Sequence, residues 1–245
     1  MRKTFTKYIK VIHIIIFTSL CSTASFAQSD IFAQTDHFFK KYVKWGQVNY
    51  AEIAQNPAEL NLLVKEIERI KYYTFFDNLQ KAYLINTYNL LVIKQVVNEY
   101  PFSSIKNING FWSKKNLIGG QKLSLEELEK TIILKKFTDP RLHFVLINAT
   151  NGCPPMPNFA FKPQKLDEQL ENQCQKIMEN PTYVRLRNGN IIISPIFEWY
   201  ANDFTPNKQS VINFINKFRN IKVPDDFEVK HYEYDWTLND LVAEF

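Results

Sequence analysis

Apolar residues recur at spacings of three and four along several stretches of the chain, and each such stretch predicts a helix with one face turned inward. Asp30 to Lys44 carries Phe32, Phe39 and Val43 on such a face and is broken by Gly46-Gln47-Val48-Asn49-Tyr50. A second helix is expected from Pro57 to about Ile70, with proline at its first position. The longest runs from about Asn78 to Glu99 and is stopped by Pro101. Leu117-Ile118 and Lys122-Leu123 flank Gly119-Gly120 as a tight hairpin. Ser124 and Glu127 then supply a capping box for a short helix, Leu125 to Ile133. Arg141 to Ala149 is β-branched and apolar with few charges, the pattern of an interior strand. In such a strand His143, Val145, Ile147 and Ala149 would face one side, and Phe144, Leu146 and Asn148 the other. Lys165 to Glu179 and Asn207 to Arg219 have helical periodicity. Between them Tyr183 to Arg187 and Asn190 to Ser194 alternate around Asn188-Gly189, a strong hairpin signal. Helices mixed with hairpins predict an α+β fold, one domain with helices packed on a small, largely antiparallel sheet.

The N-terminal segment has a different logic. Arg2, Lys3, Lys7 and Lys10 precede the apolar run Val11 to Leu20, and Ser25-Phe26-Ala27 offers a small-x-small cleavage site. The run is about half the roughly 20 residues a spanning helix needs, and Leu20 before Cys21 is too large for a lipobox. Residues 1–27 are therefore expected to be a cleaved signal peptide. That leaves a single globular domain over 28–245, placed outside the cytoplasm as a periplasmic or secreted protein, with no transmembrane segment. Cleavage also changes the charge balance. The chain has 30 Lys+Arg against 25 Asp+Glu, and four of the basic residues lie in the leader. The nearly neutral remainder lacks the basic stripe a nucleic-acid partner requires. Abundant aromatics, 15% of the chain, with only 6 glycines argue for a packed globule over a disordered one.

Cysteine and histidine are few enough to treat one by one. After cleavage Cys153, Cys174, His37, His143 and His231 remain, with no CxxC or HExxH spacing. The sequence accordingly indicates no metal site, and without a Gly-rich phosphate loop it indicates no cofactor. Cys174 falls on the stripe Leu166, Leu170, Cys174, Ile177, Met178, where a buried thiol behaves as a small hydrophobe. Cys153 follows the expected strand, in Asn151-Gly152-Cys153-Pro154-Pro155, where a scaffold presents functional groups. It is a candidate nucleophile with His143 as base. A space-filling thiol or a Cys153–Cys174 disulfide are the competing readings. If residues 143 to 149 were extended they would span roughly 20 Å, which works against the pairing of His143 with Cys153.

Asn86 and Asn89 share the apolar face of the longest helix with Ala82, Leu90, Ile93 and Val97. Buried amides there either serve catalysis or bond to backbone and set helix register. In Phe197 to Phe204, Asp203 or Glu198 could orient an imidazole, or could cap and pack.

The segments Gly46 to Tyr50, Ala82 to Asn89, Asp139 to Pro155, Ser194 to Phe204 and Tyr234 to Asn239, in this order, resemble the family catalogued as domain of unknown function 547. The likeness extends from about residue 46 to 239. It implies that Asn86, Asn89, His143, Cys153, Pro154, Trp199, Tyr200 and Asp203 occupy the family's characteristic positions. Thr150 stands where bacterial members usually have Ser, and Asn148 where they often have Cys. Plant members tend to replace the cysteine and lose the histidine. The element content invites comparison with papain-like and transglutaminase-like folds, as analogy. Two functions are carried forward. One is a thiol-dependent hydrolase or acyl-transferase using Cys153, His143 and Asp203, with Asn86 or Asn89 assisting. The other is a non-catalytic extracytoplasmic domain that binds a peptide or small molecule, or serves as a scaffold.

Overall fold

The computed structural model describes residues 31–205 and 210–241. The expected signal peptide, Asp30 and the start of the expected helix at Asn207 lie outside the described residues. Helix α1 (31–42) ends two residues earlier than its periodicity suggested. Val43–Lys44 (β1) pairs with Gln47–Val48 (β2) across Trp45 and Gly46, both at positive φ. A two-residue turn with both central residues left-handed suits the twist of a hairpin. Asn49, inside the segment expected only to break the chain, caps the short helix α2 (Tyr50–Gln55) by accepting from the Glu52 N–H. Pro57 sits just before α3 (Ala58–Arg69).

Helix α4 (Asp77–Glu99) is the centre of the molecule and is buried on nearly every side. Its end follows from Pro101, which restricts Tyr100 to extended backbone. The hairpin of β3 (Lys115–Ile118) and β4 (Gln121–Ser124) forms around Gly119-Gly120. The capping box is reciprocal: the Ser124 N–H donates to Glu127 at 2.8 Å and the Glu127 N–H to Ser124 Oγ at 3.1 Å. The helix beyond is π-helical over Glu127–Leu134 before α5 (Lys135–Phe137), a departure common near functional sites.

The expected strand at Arg141 to Ala149 does not form. Pro140–Phe144 is instead a 3-10 helix, with proline in its first turn and Asp139 accepting from the Arg141 N–H. The chain then winds on irregularly, and Ala149 has a positive φ. A short buried apolar run reads alike for a strand and a buried helical turn, and here local capping decided. The side-chain alternation fails with it. Arg141 and Lys81 both bind Asp139, fastening this segment to α4.

Helix α6 (Leu166–Glu179) and the hairpin β5 (Val184–Arg187)–β6 (Asn190–Ile193) follow as read from the sequence. After them come α7 (Ile196–Trp199), α8 (Ala201–Phe204), α9 (Val211–Phe218) and β7 (Glu228–His231). Strand β7 joins β6 in parallel, a pairing the sequence did not signal. Among the described residues the sheets are three, of two, two and three strands, mostly antiparallel, so the fold is α+β. No described helix is long and apolar enough to cross a membrane.

Two apolar clusters make the core. One surrounds α4. The other gathers Phe144, Cys174, the β5–β6 hairpin, Phe197, Phe204 and α9. Trp236 packs against both.

Candidate functional site

A cavity of about 270 Å³ lies where the two clusters meet. Leu146 and Cys153 come to it from the first cluster, Ile196 and Tyr200 from the second, and Trp236 from the segment between them. The segments that pointed to the family converge around it. Gly46, in the β1–β2 turn, is so close to the Pro155 ring that a Cβ there would lie 2.3 Å from Pro155 Cβ. The Met156 N–H donates to the Gly46 carbonyl at 3.1 Å. The C-terminal segment threads between these parts. Asn239 accepts from the Val48 N–H at 3.1 Å and donates to the Ala149 carbonyl at 3.2 Å. The Gly152 N–H donates to the Asp235 carbonyl at 2.8 Å, and a Cβ on Gly152 would meet Asp235 backbone atoms at 2.9 Å. Glycine is needed there for close approach of two backbones.

His143, in the 3-10 helix, is buried. Its ring is tilted over Tyr200, with centroids 4.0 Å apart, and against Phe204 at 5.2 Å. Nε2 lies 2.8 Å from Asp203 Oδ2 on α8. A carboxylate accepts only, so the neutral ring carries its proton on Nε2 and leaves the Nδ1 lone pair open. Among the described residues nothing hydrogen-bonds to Nδ1. Burial lowers the His143 pKa below its ordinary value, and the Asp203 carboxylate opposes that shift without reversing it. Glu198, the other acid of this segment, is instead 3.9 Å from His231.

Cys153 lines the same cavity and is only 4% exposed. Residues 143 to 149 do not form the extended strand that would separate the pair, and both side chains line one cavity. The Asn148 N–H donates to Sγ at 3.4 Å. Asn148 is itself held: its amide donates to the Tyr234 hydroxyl at 2.6 Å, and its carbonyl accepts from Thr150 at 2.6 Å. Burial pushes the thiol up to about 12, against the pull of the Asn148 N–H and with a push from the Glu129 carboxylate. The lowered pKa expected of an activated cysteine is not what this pocket produces. The resting group is a thiol. Cys153 and Cys174 are both free, and Cys174 lies buried in the second cluster, away from the cavity lining.

Asn86 and Asn89 are placed differently. Asn86 donates to the Phe161 carbonyl at 2.8 Å and accepts from the Phe161 N–H at 2.9 Å. Asn89 donates to the Val145 carbonyl at 2.9 Å and accepts from the Ile147 N–H at 3.0 Å. Each amide thus stands in for a missing backbone neighbour, and neither lines the cavity. The structure joins Asp203 to His143, sets His143 and Cys153 on the lining of one cavity, and engages the two asparagines with the backbone packed beside their helix.

Reading the sequence missed Glu129 and Tyr88. Glu129, on the π-helical segment, accepts from the Tyr88 hydroxyl at 2.8 Å and from the Tyr200 hydroxyl at 2.9 Å. Tyr88 sits between the two asparagines, so its motif was visible while its role was not. Glu129 carries no sequence signal, because nothing local separates it from neighbouring helix acids. Trp236, in the last of the segments that carry the resemblance, lines the cavity beside Trp112 and Trp199.

No curated protein and no solved structure matches the chain. The family model described as "Protein of unknown function, DUF547" matches residues 74–177, a span that holds His143, Cys153, Glu129 and both asparagines but stops short of Asp203 and Trp236. Over that span the chain is similar to the DUF547 family, and the carboxylate that faces its histidine lies beyond the matched residues.

Proposed function

We propose that the cavity is the catalytic site of a thiol-dependent hydrolase or acyl-transferase that acts outside the cytoplasm on an ester or amide. The observation that carries this reading is His143. Asp203 occupies Nε2 and leaves Nδ1 free, on a ring lining the same cavity as Cys153. Because the thiol rests protonated, the base must act during attack rather than before it. Sγ bonds to the carbonyl carbon as His143 Nδ1 takes the thiol proton, and Asp203 stabilises the imidazolium. Collapse of the tetrahedral adduct breaks the bond to the alcohol or amine, which leaves with the proton from His143. Water, or an acceptor hydroxyl or amine, then attacks the thioester as His143 removes its proton. That proton returns to sulfur as the acyl group departs.

A non-catalytic binding pocket is the second reading, and the buried, protonated thiol favours it. Incubation with p-nitrophenyl acetate, followed by peptide mass spectrometry, separates the two. An acetyl group on Cys153 that is lost in His143→Ala supports the enzyme. If Cys153 stays unmodified in the native protein yet reacts after denaturation, the pocket is a binding site only.

A further inference from the structure

We infer that the ligand of this cavity presents an organic ammonium group to it. Calling that ligand a substrate rests on the acyl-transfer reading; the charge preference does not. Three of the chain's 4 tryptophans, Trp112, Trp199 and Trp236, line the cavity with Tyr88 and Tyr200. Trp199 is 47% exposed although it stacks on Trp236 with centroids 5.7 Å apart. Large rings left half open at a cavity wall offer negative π faces, which attract cations. Lys106 already places its ammonium 4.5 Å from the Trp236 ring centroid, and it does so without lining the cavity.

Charge points the same way. Glu129 lies at the cavity with each carboxylate oxygen accepting from a tyrosine hydroxyl. Phenols orient that carboxylate and leave its charge in place. Among the described residues Glu129 has no salt-bridge partner. The ammonium that lines the cavity, Lys130, is engaged by Glu126 at 2.8 Å. The lining thus carries two carboxylates against one ammonium, and Asp203 adds a further negative charge behind His143. An anion would meet repulsion here, and a neutral ligand would gain only from the rings. An organic cation gains from the rings and from Glu129 together, in a partly desolvated space where both attractions are stronger.

Calorimetric titration of the protein with choline, with its uncharged isostere 3,3-dimethyl-1-butanol, and with acetate tests this. Choline is expected to bind at least about tenfold more tightly than the isostere, a difference of about 1.4 kcal/mol. The same preference is expected in Cys153→Ala. In Glu129→Gln, which keeps an acceptor for a tyrosine, the ratio should fall towards about one. Should that variant fold poorly, Trp199→Leu, at a half-exposed position, should weaken choline binding more than binding of the isostere. Equal affinity for choline and isostere, or tighter binding of acetate, overturns the inference. A choline preference with no acylation of Cys153 removes the enzyme reading and keeps this one; acylation without that preference does the reverse.

Discussion

The asparagines of α4 and the His143–Cys153 cavity are both buried polar clusters, and they differ in what is left over. Asn86 and Asn89 use both ends of each amide on backbone groups of the chain packed beside them. His143 uses one nitrogen on Asp203 and leaves the other without a partner among the described residues, on a ring that lines the cavity. Burial alone therefore does not mark a reactive group. Unspent hydrogen-bonding capacity facing a space that can hold a ligand does.

Substitutions that exchange the roles of the two clusters test this contrast most severely. His143→Ala should slow acylation of Cys153 by about 10²–10⁴-fold, the usual worth of a positioned base, while the far-ultraviolet circular dichroism stays native. Asn89→Leu should do the opposite. It orphans the Val145 carbonyl and the Ile147 N–H, at about 1–3 kcal/mol for each buried group, and urea unfolding should report a total of about 2–6 kcal/mol. If Asn89→Leu keeps full stability but loses acylation, the distinction between clamp and site fails.

Gly152→Ala should cost about 1–3 kcal/mol, as overpacking does, because its methyl group meets Asp235 backbone. Thermal melts would register this loss.

A smaller effect comes from pH. Burial lowers the folded-state pKa of His143 below the unfolded value of about 6.5. Between the two values the unfolded chain binds more protons, so the His143 contribution is complete above about pH 6.5 and is lost as pH falls through the folded value. Acylation should fall over the same acidic window as Nδ1 becomes protonated. Unfolding of the wild type and of His143→Gln, compared from pH 7.5 to 5, should show the wild type losing more stability. An equal loss in both proteins would mean that His143 is not the titrating group.

Cys174→Ala should change least. As a buried packing thiol it should leave acylation within about twofold and cost about 1 kcal/mol, on the scale of a small core truncation.

Much of the fold was legible because its signals are local. The span of α4, its stop at Pro101, the reciprocal Ser124–Glu127 cap and the Asn188-Gly189 hairpin each depend on residues within one turn of each other. Arg141 to Ala149 was misread because its apolar composition suits any buried backbone. Two of the groups that would have paired in a ladder, the Val145 carbonyl and the Ile147 N–H, are met by Asn89, more than fifty residues away in sequence. Strand β7 escaped notice for a similar reason, since a parallel partner leaves no turn signal. Of the site, His143, Cys153 and Asp203 could be named as candidates by residue type and motif. That His143 and Cys153 share a cavity, with Asp203 behind the ring, could not.

The residues themselves determined which elements form, where most of them stop, and the short inventory of groups able to do chemistry. Periodicity, caps and turns act over a few residues and can be read in a line. Tertiary structure decided which of those groups have something left to offer. It placed Asp203 on His143, put Glu129 between two tyrosines, and raised the Cys153 thiol by burial. Desolvation and hydrogen-bond partnership belong to the packed environment, which is built by parts of the chain far apart in sequence.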